Sequence, residues 1–176
     1  SQKVAVVTGA AGGIGKAIVQ KLAKEGHKVA ALDFNADGLN KVVKELKEDG
    51  LTVYPFIADI GSSKDVETCL DQVEFTLGSI HYLVNAAGIL RTGSVSSLSD
   101  EDWEMTMRVN TSGVFFVSRS VTRRMISQGI QGSIVTVASN AASTARIDMG
   151  AYAASKAAVV AFTKCLGHDI AQQVMR

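Results

Sequence analysis

The stretch KVAVVTGAAGGIG, residues 3–15, joins a short apolar run to a glycine-rich turn. The run is typical of a buried strand, and apolar residues then recur at helical spacing over residues 14–25. Gly9 permits a tight turn, Gly13 lets a phosphate approach the backbone, and Gly15 lets the helix pack closely against the strand. The start of such a helix presents free N–H groups and partial positive charge. The stretch therefore predicts a dinucleotide site; the alternative is a turn that is merely tight.

Strand-like and helix-like segments alternate along the rest of the chain. Further strands are predicted at 28–33, 51–59, 80–88 and 132–139, and further helices at 36–50, 62–77, 99–125 and from 150 onward. Ser99 and Asp102 have the spacing of a capping box at the start of the long helix. The alternation predicts a single α/β domain over 1–176, a doubly wound, Rossmann-type parallel sheet between two helical layers. Such sheets bind ligands at the carboxyl ends of their strands.

Composition excludes several other classes of protein. The chain has 47% hydrophobic residues, 20% charged residues and a net charge of +1, so we expect no nucleic-acid partner. The absence of about 18 uninterrupted apolar residues predicts no membrane span or signal peptide. Cys69 and Cys165 are far apart and are expected to be free thiols in a reducing cytoplasm. His27, His81 and His168 do not have metal-ligand spacing, so no metal site is predicted.

Asp33 ends the second predicted strand, close to the spacing expected for an acid that binds the cofactor ribose. A carboxylate there accepts hydrogen bonds from the 2′- and 3′-hydroxyls and repels a 2′-phosphate. No arginine or lysine lies in the glycine loop or directly after Asp33. The pattern favours NAD over NADP. The alternative is that Asp33 only caps the following turn.

Tyr152 and Lys156 lie four residues apart in the alanine-rich stretch GAYAASKAAVVAF, residues 150–162. On a helix this spacing places both side chains on one face. A free tyrosine is almost fully protonated at neutral pH, but a lysine ammonium one turn away stabilises the phenolate. The pair is therefore predicted to act as a general base and its electrostatic partner. The alternative is an ordinary amphipathic pair.

The glycine spacing, NAAG at 85–88 and the Tyr152/Lys156 pair together resemble the classical short-chain dehydrogenase/reductase family, over residues 3 to about 173. The resemblance implies a catalytic tetrad of Asn110, Ser139, Tyr152 and Lys156. In it, Ser139 holds the substrate oxygen, and Lys156 also bonds the nicotinamide ribose. Asn110 holds a water that passes the proton to solvent. The alternatives are that Ser139 caps a helix and that Asn110 bonds the backbone.

The resemblance also implies the remaining cofactor contacts. Asp59 is expected to hydrogen-bond the adenine ring, with Ile60 packing nearby. Asn85, Ala86 and Gly88 are expected to line the cofactor cleft and stiffen the central strand. The complete predicted set is Gly9, Gly13, Ile14, Gly15, Asp33, Phe34, Asp59, Ile60, Asn85, Ala86, Gly88, Tyr152 and Lys156.

Residues 83–103 and 132–167 most resemble the family members that oxidise a cyclohexadiene diol carboxylate with NAD⁺. The first oxidation gives a ketone that tautomerises to an aromatic catechol, which draws the reaction forward. Such a substrate needs a cation, and a guanidinium can hold a carboxylate through two bonds. The expected substrate contacts are Arg91, Ser139, Arg146, Met149 and Tyr152, with Ser143 nearby. The alternative is that both arginines are solvated or pair with acids such as Asp148.

Two other functions stay open. The first is a 3-oxoacyl carrier-protein reductase or another alcohol dehydrogenase of the family, although Asp33 disfavours a reductase that uses NADP. The second is a non-catalytic dinucleotide-binding protein, although the complete tetrad disfavours it. The resemblance further implies a homotetramer that packs through the helices at 100–125 and 150–173, and the free cysteines favour a cytoplasmic location. It also implies a family fold that continues past residue 176 with a sixth strand, a mobile loop and helix over the substrate, and a last strand.

Overall fold

A computed structural model describes residues 2–174 and shows a five-stranded sheet with the strand order β3-β2-β1-β4-β5. The strands are β1 (Val4–Thr8), β2 (Lys28–Asp33), β3 (Val53–Ile57), β4 (Ile80–Asn85) and β5 (Ser133–Thr136). All four neighbouring pairs are parallel. The strand order reverses between β1 and β4, which confirms the predicted doubly wound sheet and places its ligand crevice at that point.

The helices follow the predicted alternation. They are α1 (Gly13–Lys24), α2 (Ala36–Glu48), α3 (Ser63–Leu77), α4 (Asp100–Met107), α5 (Val114–Ser127) and α6 (Gly150–Val174). Ser99 caps α4 as predicted, because its hydroxyl accepts the N–H of Asp102 at 3.1 Å. The long helix predicted over 99–125 is interrupted by a π-helical turn, Arg108–Gly113, which joins α4 to α5 and is called the π segment below.

Two apolar layers hold the sheet between its helices. Val6 and Leu83 face the layer formed with α3 and α5, whereas Val7 and Val29 face the layer formed with α1 and α2. Every residue of β1 is buried, because a central parallel strand is covered on both faces. No helix within residues 2–174 is long and apolar enough to cross a membrane.

Three strands are shorter than predicted at their carboxyl ends. The strands predicted over 51–59, 80–88 and 132–139 end at Ile57, Asn85 and Thr136. At the end of β4 the cause is visible, since the Thr8 hydroxyl accepts the N–H groups of Ala86 and Ala87 at 3.2 and 3.1 Å. A side chain of β1 thus replaces the ladder, and the chain turns away from the sheet to form the edge of the crevice.

Candidate active site

The glycine loop between β1 and α1 is tight on one side and open on the other. Gly9 has a φ of +69°, and a Cβ there would lie 2.6 Å from Ala87 Cα. A Cβ on Gly15 would lie 2.0 Å from the Gly9 carbonyl oxygen. Cβ atoms on Gly12 and Gly13 would meet nothing within 4 Å. Gly9 and Gly15 therefore close the turn, whereas Gly12 and Gly13 leave room for a phosphate at the start of α1.

The Asp33 carboxylate lies between the glycine loop and the turn that follows β2. Its Oδ2 accepts the N–H of Ala11 in the loop, and its Oδ1 accepts the N–H of Asn35, both at 2.9 Å. Asp33 therefore caps the turn after β2 and also fixes its carboxylate beside the glycine loop. Each oxygen keeps a lone pair for a ribose hydroxyl. Ile14 and Phe34, predicted cofactor contacts, are exposed at the start of α1 and directly after Asp33.

Asp59 is held by two groups of its own chain. Its Oδ1 accepts the Gly61 N–H at 2.9 Å, and its Oδ2 forms an ion pair with Arg108 Nη2 of the π segment. The sequence indicated no role for Arg108. The Ile60 side chain is 8% exposed and belongs to the core, and a Cβ on Gly113 would lie 2.7 Å from it. Ile60 thus packs against the π segment, and its place near the adenine stays a prediction.

The carboxyl end of β4 is held by polar side chains of two other elements. The Asn85 Nδ2 donates to Ser118 Oγ of α5 at 2.9 Å, and the residue is 2% exposed, so its buried side chain ties the end of β4 to α5. This geometry agrees with the predicted stiffening of the central strand, and the predicted position of Asn85 in the cofactor cleft stays a prediction. Thr8, which holds Ala86 and Ala87, was not predicted. Its only signal was a polar residue at the end of an apolar strand directly before Gly9.

Asn110 links three elements through its buried amide. Its Oδ1 accepts the Ile89 N–H at 2.8 Å, and its Nδ2 donates to the Ile89 carbonyl at 2.9 Å and to Ser155 Oγ of α6 at 3.0 Å. Ser155 in turn donates to the Tyr152 carbonyl at 2.7 Å. The side chain therefore bonds backbone, the alternative left open by the sequence. It fixes the first turns of α6, which carry Tyr152, against the π segment.

Lys156 and Tyr152 meet on α6 as their spacing predicts. The Lys156 Nζ lies 5.8 Å from the centre of the Tyr152 ring and donates to the Val137 carbonyl at 2.9 Å. Lys156 is only 5% exposed, and this burial lowers the pKa of its ammonium. A Cβ on Gly88 would lie 3.4 Å from Nζ and 3.3 Å from Asn110 Oδ1. Lys156, Asn110 and Gly88 therefore surround one small space at the carboxyl edge of β4.

Ser139 follows β5 and begins a short 3₁₀ turn, Asn140–Ala142. Its hydroxyl oxygen accepts the Ala141 N–H at 3.2 Å, which is the capping role left open by the sequence. A hydroxyl that accepts one bond still has a hydrogen to donate. The geometry is therefore compatible with a bond from Ser139 to a substrate oxygen as well.

Two loops form the outer edge of the site. The Gly93 N–H donates to the Asp148 carbonyl at 2.9 Å, which joins the loop after β4 to the loop before α6. Asp148 has a φ of +60°, the left-handed region that aspartate tolerates better than most residues. The Arg91 guanidinium lies 3.6 Å from the Asp102 carboxylate, so one arginine has an acidic partner, though not Asp148. Arg146 is exposed, and among residues 2–174 it forms no ion pair.

Met149 and Ser143 lie in the same outer region. Met149 is partly buried and donates its N–H to the Arg146 carbonyl at 3.4 Å, while Ser143 is exposed directly after the 3₁₀ turn. The structure thus brings three of the predicted site residues, Lys156, Tyr152 and Asn110, into one contact network. Arg91, Arg146 and Met149 lie on the loops outside that network.

Known proteins are similar to this chain in both sequence and fold. The family model for short chain dehydrogenases matches residues 3–176. A 2,3-dihydro-2,3-dihydroxybenzoate dehydrogenase of Bacillus subtilis is 49% identical over 99% of this chain and 66% of its own length. A D-threitol dehydrogenase of Mycolicibacterium smegmatis is 40% identical over 95% of this chain and 64% of its own length. The chain thus spans slightly less than two thirds of the length of these two relatives.

A solved structure gives the same result. An NAD⁺-bound xylitol dehydrogenase superposes with a TM-score of 0.92 and 35% sequence identity, covering 97% of this chain and 66% of that one. A 3-oxoacyl-(acyl-carrier-protein) reductase of Thermotoga maritima is 36% identical over 99% of this chain and 70% of its own length. These relatives are dehydrogenases or reductases of different substrates. The chain belongs to the short-chain dehydrogenase family.

Proposed function

We propose that this chain is the cofactor-binding and catalytic part of an NAD⁺-dependent dehydrogenase. Its substrate is 2,3-dihydro-2,3-dihydroxybenzoate, which it oxidises to 2,3-dihydroxybenzoate in siderophore biosynthesis. The observation that carries the reaction type is the buried Lys156 beside Tyr152. The substrate is supported by the 49% identity to the Bacillus subtilis dehydrogenase for this compound.

Tyr152 and Lys156 supply the proton chemistry of the proposed reaction. An alcohol loses a hydride from carbon and a proton from oxygen, and the Tyr152 Oη takes the proton. The Lys156 ammonium favours the phenolate form of Tyr152 that accepts this proton, because it lies in a buried space where a charge acts strongly. The transfer leaves a neutral tyrosine, and the oxidised carbon becomes a carbonyl. Ser139 orients the substrate oxygen by donating its remaining hydroxyl hydrogen.

The glycine loop and Asp33 fit a nicotinamide dinucleotide, which accepts the hydride when it is bound. The open face of Gly12 and Gly13 would receive the phosphates, and the fixed Asp33 carboxylate would receive the ribose hydroxyls. The same carboxylate disfavours a 2′-phosphate, which supports NAD as the proposed cofactor. Lys156 would bond the ribose at the nicotinamide end.

The substrate carboxylate is assigned to the arginines of the outer loops. Arg146 is exposed, and Arg91 is only loosely engaged by Asp102 at 3.6 Å. At least one of them is expected to grip the carboxylate. Because a guanidinium–carboxylate bond holds substrate and transition state alike, its loss should raise KM more than it lowers kcat.

The proposed function is tested by following NADH absorbance with NAD⁺ and the dihydrodiol acid. We expect turnover, with KM for the acid raised about tenfold or more in Arg91→Ala or Arg146→Ala. Arg123→Ala, an exposed arginine on α5, is the matched control. Turnover only with 3-oxoacyl substrates and NADPH would support the second candidate, the reductase function of the Thermotoga maritima relative. Unchanged KM in both variants would show that neither arginine binds the substrate carboxylate.

Cofactor choice is tested by Asp33→Asn, which removes the charge and keeps the shape. We expect the ratio of the Kd values for NAD⁺ and NADP⁺ to shift by about tenfold or more toward NADP⁺, because a charged hydrogen-bond partner of the ribose is lost. Titration calorimetry measures both constants. Asp37→Asn makes the same charge change at an exposed position of α2 and should leave the ratio unchanged. An unchanged ratio in Asp33→Asn would mean that Asp33 serves the turn alone.

A further inference from the structure

The π segment contacts the protein at both ends of the predicted cofactor cleft. Its first residue, Arg108, pairs with Asp59 after β3, and Asn110 bonds Ile89 after β4. We propose that Arg108 is a positioning residue that orients the Asp59 carboxylate for the adenine end of the dinucleotide. The inference rests on the proposed function, because it requires the chain to bind a dinucleotide.

Two bonds to different oxygens fix the plane of the Asp59 carboxylate. The Gly61 N–H holds Oδ1 at 2.9 Å, and the Arg108 guanidinium holds Oδ2. A carboxylate offers about four lone-pair sites, so each oxygen can still accept one more hydrogen. With Arg108 in place, the remaining lone pairs of the Asp59 carboxylate point in a fixed direction. An exocyclic amino group of adenine can donate a hydrogen bond to one of them. Without Arg108, the single bond to Gly61 leaves the carboxylate plane free to turn.

Gly61 allows Arg108 to reach this position. A Cβ on residue 61 would lie 2.7 Å from Arg108 Nε and 2.9 Å from its Cγ, closer than real Cβ contacts. The Nε also points to the Gly61 carbonyl oxygen at 3.5 Å. The guanidinium thus lies directly against the turn that carries Asp59. The same Cβ would lie 3.1 Å from Asp59 Oδ1, so Gly61→Ala should displace Arg108 and crowd the carboxylate without changing any charge.

The ion pair is too exposed to be a major source of folding stability. The Arg108 and Asp59 side chains are 44% and 40% exposed, and pairs of this kind contribute little because water competes for both charges. Its loss should therefore appear in cofactor binding and not in thermal unfolding. This separates a positioning role from a merely structural one.

The test compares Arg108→Met with wild type in titrations with NAD⁺, ADP-ribose and nicotinamide mononucleotide. ADP-ribose carries the adenine end alone, and the mononucleotide carries the nicotinamide end alone. We expect the Kd for NAD⁺ and ADP-ribose to rise about tenfold in Arg108→Met, with the mononucleotide unaffected. Arg108→Lys keeps the charge but not the planar fork and should give a smaller loss, as should Gly61→Ala. Arg123→Met is the matched control and should bind all three like wild type.

Each outcome decides one statement. If the wild-type chain binds NAD⁺ and Arg108→Met binds ADP-ribose with unchanged affinity, the positioning role of Arg108 is overturned. The proposed function is then unaffected. An equal loss for ADP-ribose and the mononucleotide, or a lowered melting temperature in Arg108→Met, would show a structural role and would also overturn it. A wild-type chain that binds none of the three ligands would instead contradict the proposed function.

Discussion

Replacing Lys156 with methionine is expected to lower kcat by about 100- to 10,000-fold, the usual contribution of acid–base catalysis, while leaving the melting temperature unchanged or raised. Lys156 is 5% exposed, and burying an ammonium costs free energy that a methionine of similar length does not incur. The Val137 carbonyl loses its donor in the variant, which offsets part of the gain. Turnover with NAD⁺ and scanning calorimetry on the same samples measure both effects.

The pH dependence of unfolding is a second measurement of the cost of burying the Lys156 ammonium. Burial lowers the pKa of Lys156 below the ordinary value of a lysine. Between the lowered pKa and the ordinary one, the unfolded chain binds more protons at this residue than the folded chain does. The contribution of Lys156 to stability therefore rises with pH in that window, and it is absent in Lys156→Met.

Lys164→Met is the control, because it removes an exposed lysine two turns further along α6. It should leave kcat unchanged. Near-normal turnover in Lys156→Met, with Lys164→Met also normal, would contradict the role assigned to the Tyr152–Lys156 pair. A large drop in melting temperature would contradict the claim that Lys156 is retained at a cost in stability.

The second large effect is expected from Gly15→Ala, which should destabilise the fold by about 3 kcal/mol, at the upper end of overpacking effects. A Cβ at this position would lie 2.0 Å from the Gly9 carbonyl oxygen and 2.7 Å from its carbon. Both are backbone atoms of the glycine loop, so no side chain can move aside. The loop and the start of α1 would have to separate. Urea unfolding measures the loss.

Gly12→Ala is a control within the same loop. Gly12 has an extended backbone with a φ of 178°, and a Cβ there would meet nothing within 4 Å. Its stability should stay within about 0.5 kcal/mol of wild type, as for most substitutions in open positions. Equal stability of Gly15→Ala and Gly12→Ala would mean that the loop relaxes freely and that Gly15 is not needed for packing.

The parts of the fold that could be predicted are those set by neighbouring residues. The apolar run of β1, the glycine loop and the periodicity of α1 lie within one short stretch, and the structure agrees with all three. The strand ends were overestimated because they depend on distant partners. The Thr8 hydroxyl takes two N–H groups from the chain after β4, and apolar patterning carries no sign of that bond.

The candidate site shows the same division. Helical spacing was enough to bring Tyr152 and Lys156 together. The π segment could not be read from the sequence, because its Asn110 amide is held by Ile89 and Ser155 from two other elements. The pairing of Arg91 with Asp102 likewise depends on how a loop lies against α4.

The π segment also sets the rotational phase of the helix that follows it. One additional residue is accommodated between α4 and α5, and a residue of α-helix corresponds to a rotation of about 100°. The apolar stripe Val117, Val121 and Met125 packs into the core between the sheet and α3. A one-residue deletion in the segment would turn this stripe away from the core while every residue of α5 stayed the same. The length of the segment is therefore as important to the fold as its composition.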